Sequence, residues 1–344
     1  MRMAGRADGG SSITNVAAMA DVSIATVSRV LSGKRGKDDD IARRVREAAK
    51  QLGYSVNYAA SALRSDVTKT IGLVIPSATE AFAAQLLDTI EPTIDVESQQ
   101  LLLGIGATQE AQKERIESLI NRHVDGLIVV PAPGADHAET LDRHADALPI
   151  VQIGGRQTSP HVSVVGIDEG VAMETVIRHL AGQGIASVAY MAGDELSFES
   201  AELFAMFHTY LRTYELSTDE DWNRFGACTV QRGFDCAMRL FNGPIVQPEA
   251  VVCADDTIAF GVMVALNTLG VRVPEDVLVV GYHDSPIART TMPQLTSMRA
   301  PFERIVSECL RLLASKQTYD ADERAPRIML APRLIARGSS MLRS

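Results

Sequence analysis

From Thr70 onward, short apolar runs alternate with longer stretches in which apolar residues recur every three to four positions. The runs Thr70–Pro76, Leu101–Gly106, Gly126–Pro131, Ile150–Gly154, Val162–Ile167, Val188–Gly193, Ala250–Ala254 and Val277–Tyr282 predict strands. Helical patterns lie between most of them, for example Gln109–Arg122 and Val171–Gly182. Strands that are apolar at nearly every position belong to parallel sheets covered by helices on both faces. There are too many for one small sheet, so the pattern predicts two lobes. Open parallel sheets bind ligands outside the carboxyl ends of their strands. Those ends are Pro76–Phe82, Gly106–Gln109, Pro131–Gly134, Gly154–Arg156, Gly193–Ser197, Asp255–Asp256 and Tyr282–Asp284.

The first sixty-odd residues read differently. Ser12 is placed to cap a helix running to Ala20, with Val16, Met19 and Ala20 as its apolar face. Asp21-Val22 makes a tight turn, since Asp tolerates the left-handed conformation better than most residues. Ser23 caps a second helix, Ile24–Leu31. Two short helices joined this way form a helix-turn-helix. The second helix enters the major groove by its N-terminal residues, here Ile24, Ala25 and Arg29. Arg29 can fork onto a guanine or clamp a phosphate. A third helix, Asp39–Leu52, is expected to be capped by Asp38 and carries Arg43, Arg44 and Arg46.

Charge sharpens this division. The 344-residue chain carries a net charge of −10, yet residues 1–65 hold 11 Lys and Arg against 6 Asp and Glu. A basic head on an acidic body suits a protein that meets phosphate with one end only. The length fits two or three domains, and a 46% hydrophobic composition can fill their cores. No uncharged apolar run reaches membrane-spanning length. Met1–Ser11 is polar and Gly-rich, so a disordered N-terminus and a cytoplasmic location are expected. Cys228, Cys236, Cys253 and Cys309 form no Cys-x-x-Cys pair, which favours reduced thiols over a disulfide framework or a zinc site. The phosphate-loop, Gly-x-Ser-x-Gly and His-Glu-x-x-His signatures are missing, so neither an enzyme nor a cofactor is expected.

Several longer motifs carry a resemblance. They are Ser23-Ile24-Ala25-Thr26-Val27-Ser28-Arg29-Val30-Leu31-Ser32-Gly33, Ala48-Ala49-x-x-Leu52-Gly53-Tyr54-x-x-Asn57, and Ala60-x-x-Leu63-Arg64. In the body stand Arg122-His123-Val124-Asp125-Gly126, Cys253-Ala254-Asp255-Asp256, Val273-Pro274-Glu275-Asp276-Val277, and a tail from Pro293 through Arg337 to Ser339. Over residues 12–340 the chain resembles the LacI/GalR (lactose-repressor) family, and Gly281-Tyr282-His283 with Ile287-Ala288 is locally similar to gluconate-type members.

The resemblance implies an all-α helix-turn-helix head over 12–56, a hinge helix and linker over 57–69, and an α/β bilobed, periplasmic-binding-protein-like sensor over 70–344. The sensor would have two parallel-sheet, Rossmann-like lobes, the first from 70–168 and 298–322, the second from 169–297 and 323–344. It implies a homodimeric repressor on a pseudo-palindromic double-stranded operator, modulated by a small molecule such as a sugar or sugar acid. DNA contacts would come from Ser12, Ser23, Ile24, Ala25, Thr26, Ser28, Arg29, Ser32, Asn57, Ala60, Leu63 and Arg64, with Leu63 wedging into the minor groove. Val56 replaces the family's usual proline. Effector contacts would come from Phe82, Arg156, Leu203, Cys228, Asp255 and His283, with Arg156 and His283 facing an anionic ligand. This pocket departs from the sugar-binding members: Leu203 replaces an arginine, Met206 a glycine, Cys228 an aromatic, and Gly154 and His283 each an aspartate. A regulator whose altered pocket answers to no small effector is the alternative.

Overall fold

Each helix of the head starts on a side chain that accepts from the helix's own first backbone N–H groups, which have no partner inside the helix. The computed structural model describes residues 12–31, 35, 37, 39–54, 67–195, 197–243, 246–315 and 324–342. Ser12 Oγ accepts from the N–H of Asn15 at 3.2 Å and opens α1 (Ile13–Ala20). Asp21 closes it in the left-handed region at φ 49°. Ser23 Oγ accepts from the N–H of Thr26 at 3.2 Å and opens α2 (Ile24–Leu31). Helix α3 (Asp40–Gln51) is capped by Asp39, which accepts from Ala42 N at 3.0 Å. The expected cap, Asp38, lies outside the described residues, and the carboxylate one position later does the work. Val16, Val27, Val30, Ala42 and Val45 are buried together, so one small apolar core holds the three helices.

The body, Lys69–Ser344, forms a unit of its own. Its first sheet runs in the order β2 (Gln100–Ile105), β1 (Thr70–Ile75), β3 (Gly126–Val129), β4 (Ile150–Ile153), β5 (Ser163–Ile167), β10 (Arg327–Leu330), and all neighbours are parallel. The second runs β6 (Val188–Met191), β7 (Ala250–Cys253), β8 (Leu278–Tyr282), β9 (Thr296–Arg299), β11 (Arg333–Ile335). Alternate residues face opposite sides, and both sides are covered. Leu73 and Ile75 pack into one cluster with Leu86 and Ile305, while Val74 packs into another with Ile116 and Leu141. Tyr190 and Met191 divide in the same way.

Three short strands escaped the apolar pattern. Strand β9 has four residues, β10 has four of mixed exposure and β11 only three. Residues 323–344 had all been expected in the second lobe. Strand β10 instead pairs with β5 in the first sheet, and only β11 joins the second. Strand β11 is also antiparallel to β9, against the expectation of wholly parallel sheets. The second lobe likewise extends past residue 297, since β9 runs to Arg299.

One ionic knot ties the second lobe together. The Asp284 carboxylate has no exposed surface. It accepts from Arg299 Nε at 2.7 Å and from the Arg337 guanidinium at 2.5 Å, with Arg289 3.6 Å away. These arginines come from β9, the tail and the loop after β8. Removing one partner of a buried pair strands the other. Asp284→Ala is therefore expected to lower stability by about 3–5 kcal/mol. Urea unfolding of the full chain, followed by fluorescence of the single tryptophan, Trp222, buried in the same lobe, measures this. A loss under about 1 kcal/mol would show that the knot contributes no more than an exposed ion pair.

Candidate DNA-reading face and interlobe cavity

On α2 the buried positions are Val27 and Val30, which leaves Ile24, Ala25, Ser28 and Arg29 exposed on the opposite side. Thr26 is half-buried, its hydroxyl 2.9 Å from that of Ser23. Arg43, Arg44 and Arg46 are exposed along α3. Arg43 pairs with Asp40, and Arg44 Nε stands 3.9 Å from the same carboxylate. The head thus presents one exposed helix face with an arginine near its C-terminal end, and a row of guanidinium groups on another helix. Ser12 and Ser23 serve as caps. Ser32, Asn57, Ala60, Leu63 and Arg64, and with them the expected hinge helix, lie outside the described residues.

In the body, a cavity of about 470 Å³ opens at the carboxyl ends of strands from both sheets. It begins where the first sheet reverses its order, between β1 and β3, which is where such sheets accept ligands. Phe82, Leu203, Cys228, Asp255 and His283 all line it. Phe82 belongs to α4 (Ala81–Asp95), directly after β1. Asp255 follows β7 and caps α5, the name used here for the helix Asp256–Leu269, accepting from Thr257 N at 2.6 Å. His283 follows β8 at φ 89°, a left-handed conformation that points to a fixed loop. Its carbonyl accepts from Gln85 Nε2 of the first lobe at 3.1 Å, and its ring lies 5.7 Å from that of Phe82.

Arg156 is the exception. It is exposed on the loop after β4 and does not line the cavity. Its charge instead helps to lower the carboxyl of Asp136, after backbone and side-chain hydrogen bonds to that group. The positions Gly154 and Gly155 reach the cavity, but with φ of 67° and 70° they turn the chain away before Arg156. Among the described residues, the Lys or Arg in the lining is Arg327, on β10. It stands 3.9 Å from Glu202 of the other lobe. The sequence gives no signal for it, because β10 is a short strand of mixed exposure that joins the first sheet through β5. The remaining polar lining is mainly acidic: Glu80, Glu169, Asp194, Glu202 and Asp255. Glu80 and Asp194 lie in strand-end loops that the sequence marked; Glu169 and Glu202 lie on helices and gave no signal.

The electrostatics follow from burial. Desolvation raises the Glu80 carboxyl, and the Asp255 charge raises it further. Burial pushes the Cys228 thiol up to about 12, so it is a neutral wall group. Burial lowers His283, opposed by Asp255, whose Oδ2 is 3.9 Å from Nε2. Tyr282 donates to Glu169 at 2.5 Å. His283 Nδ1 and the Tyr190 hydroxyl are buried with no hydrogen-bond partner among the described residues. No cluster of three or more potential metal ligands occurs among the described residues. Nor is any described helix long and apolar enough to cross a membrane.

A helix-turn-helix head followed by a bilobed α/β body with a ligand-sized interlobe cavity is the build of a one-component transcription regulator. Residues 12–57 match the family described as "Bacterial regulatory proteins, lacI family", and residues 177–340 match "Periplasmic binding protein-like domain". The chain therefore combines a LacI-family helix-turn-helix head with a periplasmic-binding-protein-like body, the arrangement of DNA-binding transcription regulators. It is 28% identical to the HTH-type transcriptional repressor PurR of Vibrio cholerae, over 89% of this chain and 91% of that one. It is 26% identical to catabolite control protein A of Staphylococcus epidermidis, over 95% and 98%. Among solved structures it is similar to the Lac repressor bound to ONPG in the repressed state, with 25% identity, a TM-score of 0.80, and coverage of 95% and 99%. The CelR–cellobiose complex matches with 27% identity, a TM-score of 0.69 and the same coverage.

Behind the cavity, Asp256 is fully buried. Burial raises its pKa to about 7, although Ser297 and Ser285 donate to it and pull the other way. Near pH 4 to 7 the unfolded chain has released this proton and the folded one still holds it. Stability contributed by this group is therefore present at low pH and lost as pH rises through about 7. Asp256→Asn is expected to flatten the fall in unfolding free energy between about pH 4 and 7. Parallel pH profiles for the two proteins would count against this assignment.

Proposed function

We propose that the chain is a ligand-responsive repressor that binds a pseudo-palindromic operator as a homodimer, with a small-molecule effector held between the two lobes. The observation that carries the reading is the cavity. Its walls come from both sheets, and beside it the lobes touch through the Gln85–His283 hydrogen bond and the Arg327–Glu202 pair. A ligand there touches both lobes at once, so it can favour one lobe arrangement over another, which is what coupling to a second site requires. The names of similar proteins, repressors and a cellobiose complex, support the same reading. Two-fold pairing supports it on geometric grounds, since one short reading helix covers only half a site.

In this reading Ile24, Ala25, Ser28 and Arg29 meet base edges, and Arg43, Arg44 and Arg46 meet phosphates. Leu63 holds a kink in the minor groove. Arg29→Ala should cost about 1–3 kcal/mol in operator affinity, chiefly by relaxing specificity. Arg43→Ala should weaken operator and random DNA alike and flatten the salt dependence. Equal discrimination by Arg29→Ala and the parent protein in competition binding would refute the assignment of α2.

For the cavity, the measurement is operator affinity with and without the hits of a metabolite thermal-shift screen, since a ligand of the folded state raises its stability by mass action. Typical coupling is about 5–150-fold in affinity. Asp255→Asn should lose this response while ligand-free operator binding stays as before. An undiminished response would place the effector elsewhere. A screen without any hit would favour a regulator that answers to no small molecule.

A further inference from the structure

The cavity has the chemistry of a cation receptor, not of an acid receptor. Five of its side chains are carboxyls, contributed by both lobes: Glu80 from the first, and Glu169, Asp194, Glu202 and Asp255 from the second. Against them stands Arg327, and it already faces Glu202 at 3.9 Å. Arg232, behind the wall, is turned onto the carbonyls of Ala192, Arg224, Gly226 and Ala227, at 2.6–3.2 Å. An anion entering here would meet a net negative wall in a partly desolvated space, where like charges repel most strongly.

The neutral groups point the same way. His283 Nε2 faces Asp255, which favours the proton on that nitrogen and leaves Nδ1 as an acceptor. That Nδ1 has no donor among the described residues. Tyr190, outside the lining, is fully buried with a hydroxyl that has no partner among the described residues. His283 Nδ1 and the carboxylates of Glu80 and Asp255 therefore offer acceptors to an occupant that brings donors. Beside the hydroxyls of Ser197, Ser200 and Thr229, the lining has an apolar part with Phe82, Pro131, Ile153, Leu203 and Met329, and the Phe82 ring suits a flat or cationic body.

We propose that the effector is a small amine-bearing cation, its ammonium group held by Glu80 and Asp255 and its apolar or ring portion seated against Phe82 and Leu203. This deepens the reading of the cavity as an effector site and rests on it. It also replaces the sugar-acid expectation, which depended on an Arg156 that does not reach the cavity and on a charged His283 that burial disfavours.

The test uses the full-length protein and matched probes of equal size and different charge: tyramine, tyrosol and 4-hydroxyphenylacetate, then glucosamine, glucose and gluconate. Affinity is read by calorimetry, together with operator binding in the presence of each probe. The amine of at least one series should bind at least about tenfold tighter than its neutral and acidic counterparts, as charge-assisted contacts require. Glu80→Gln, at the exposed rim of the cavity, should remove most of that preference without weakening the neutral probe. If a neutral or acidic member binds as well as its amine and changes operator affinity, the charge assignment falls and the effector site stands. If no probe binds, or if amines bind equally to Glu80→Gln, the proposal is overturned. A Phe82→Ala protein that still responds to a bound amine would separate loss of the charge site from loss of the ring contact.

Discussion

The constraint on which this body depends is that a parallel strand can be followed by another only after the chain has returned to the sheet's starting edge. All the carboxyl ends of a parallel sheet therefore fall on one side. In two such sheets, Pro76, Val130 and Ile153 lie at the ends of one set, and Gly193, Ala254 and Tyr282 at the ends of the other. Brought together, these ends enclose a space that no helix of either lobe fills. The cavity is a consequence of how parallel sheets are wired, and the side chains at its wall decide what it holds.

The chain passes between the lobes three times. It leaves the first sheet after β5, returns from β9 to the helix Phe302–Ser315 and to β10, and crosses again to β11. Pro301 and Pro332 lie in the second and third passages, where a fixed φ limits the ways the chain can turn. Each lobe thus owns residues from distant parts of the sequence. Arg327 faces a cavity otherwise built mostly from residues 76–283, and Arg337 completes the knot around Asp284. Movement between lobes in such a molecule is confined to a few connections, while each sheet stays rigid through its two covered faces.

The charge of the wall sets the chemistry. Burial raises the Glu80 carboxyl and disfavours a protonated His283, so the cavity sets several carboxyl side chains around a neutral ring. The head reverses the balance: its arginines are exposed on helices, and two of them share the single carboxylate of Asp40. One unit therefore carries exposed cationic side chains suited to a polyanion, and the other an acidic enclosure, so the two do not compete for the same ligands.

Local signals were enough for the helices and the long strands. Ser12, Ser23 and the acids before Ala42 satisfy helix N-termini through side chains within four residues, and apolar runs such as Gly126–Val129 need only burial on both faces. The exposed face of α2 and the cavity positions Phe82, Asp255 and His283 were legible for the same reason, since they follow directly from helix periodicity or a strand end. Strands β9, β10 and β11 were not: β9 buries the polar Thr296 and Ser297, and β10 and β11 are short and half-exposed, so pairing partners make them, more than a hundred residues away for β10. The placing of Arg327 at the cavity and of Arg156 outside it was decided by that pairing and by the turn at Gly154 and Gly155. No residue-by-residue pattern carries such information, because it is a property of which strand lies beside which.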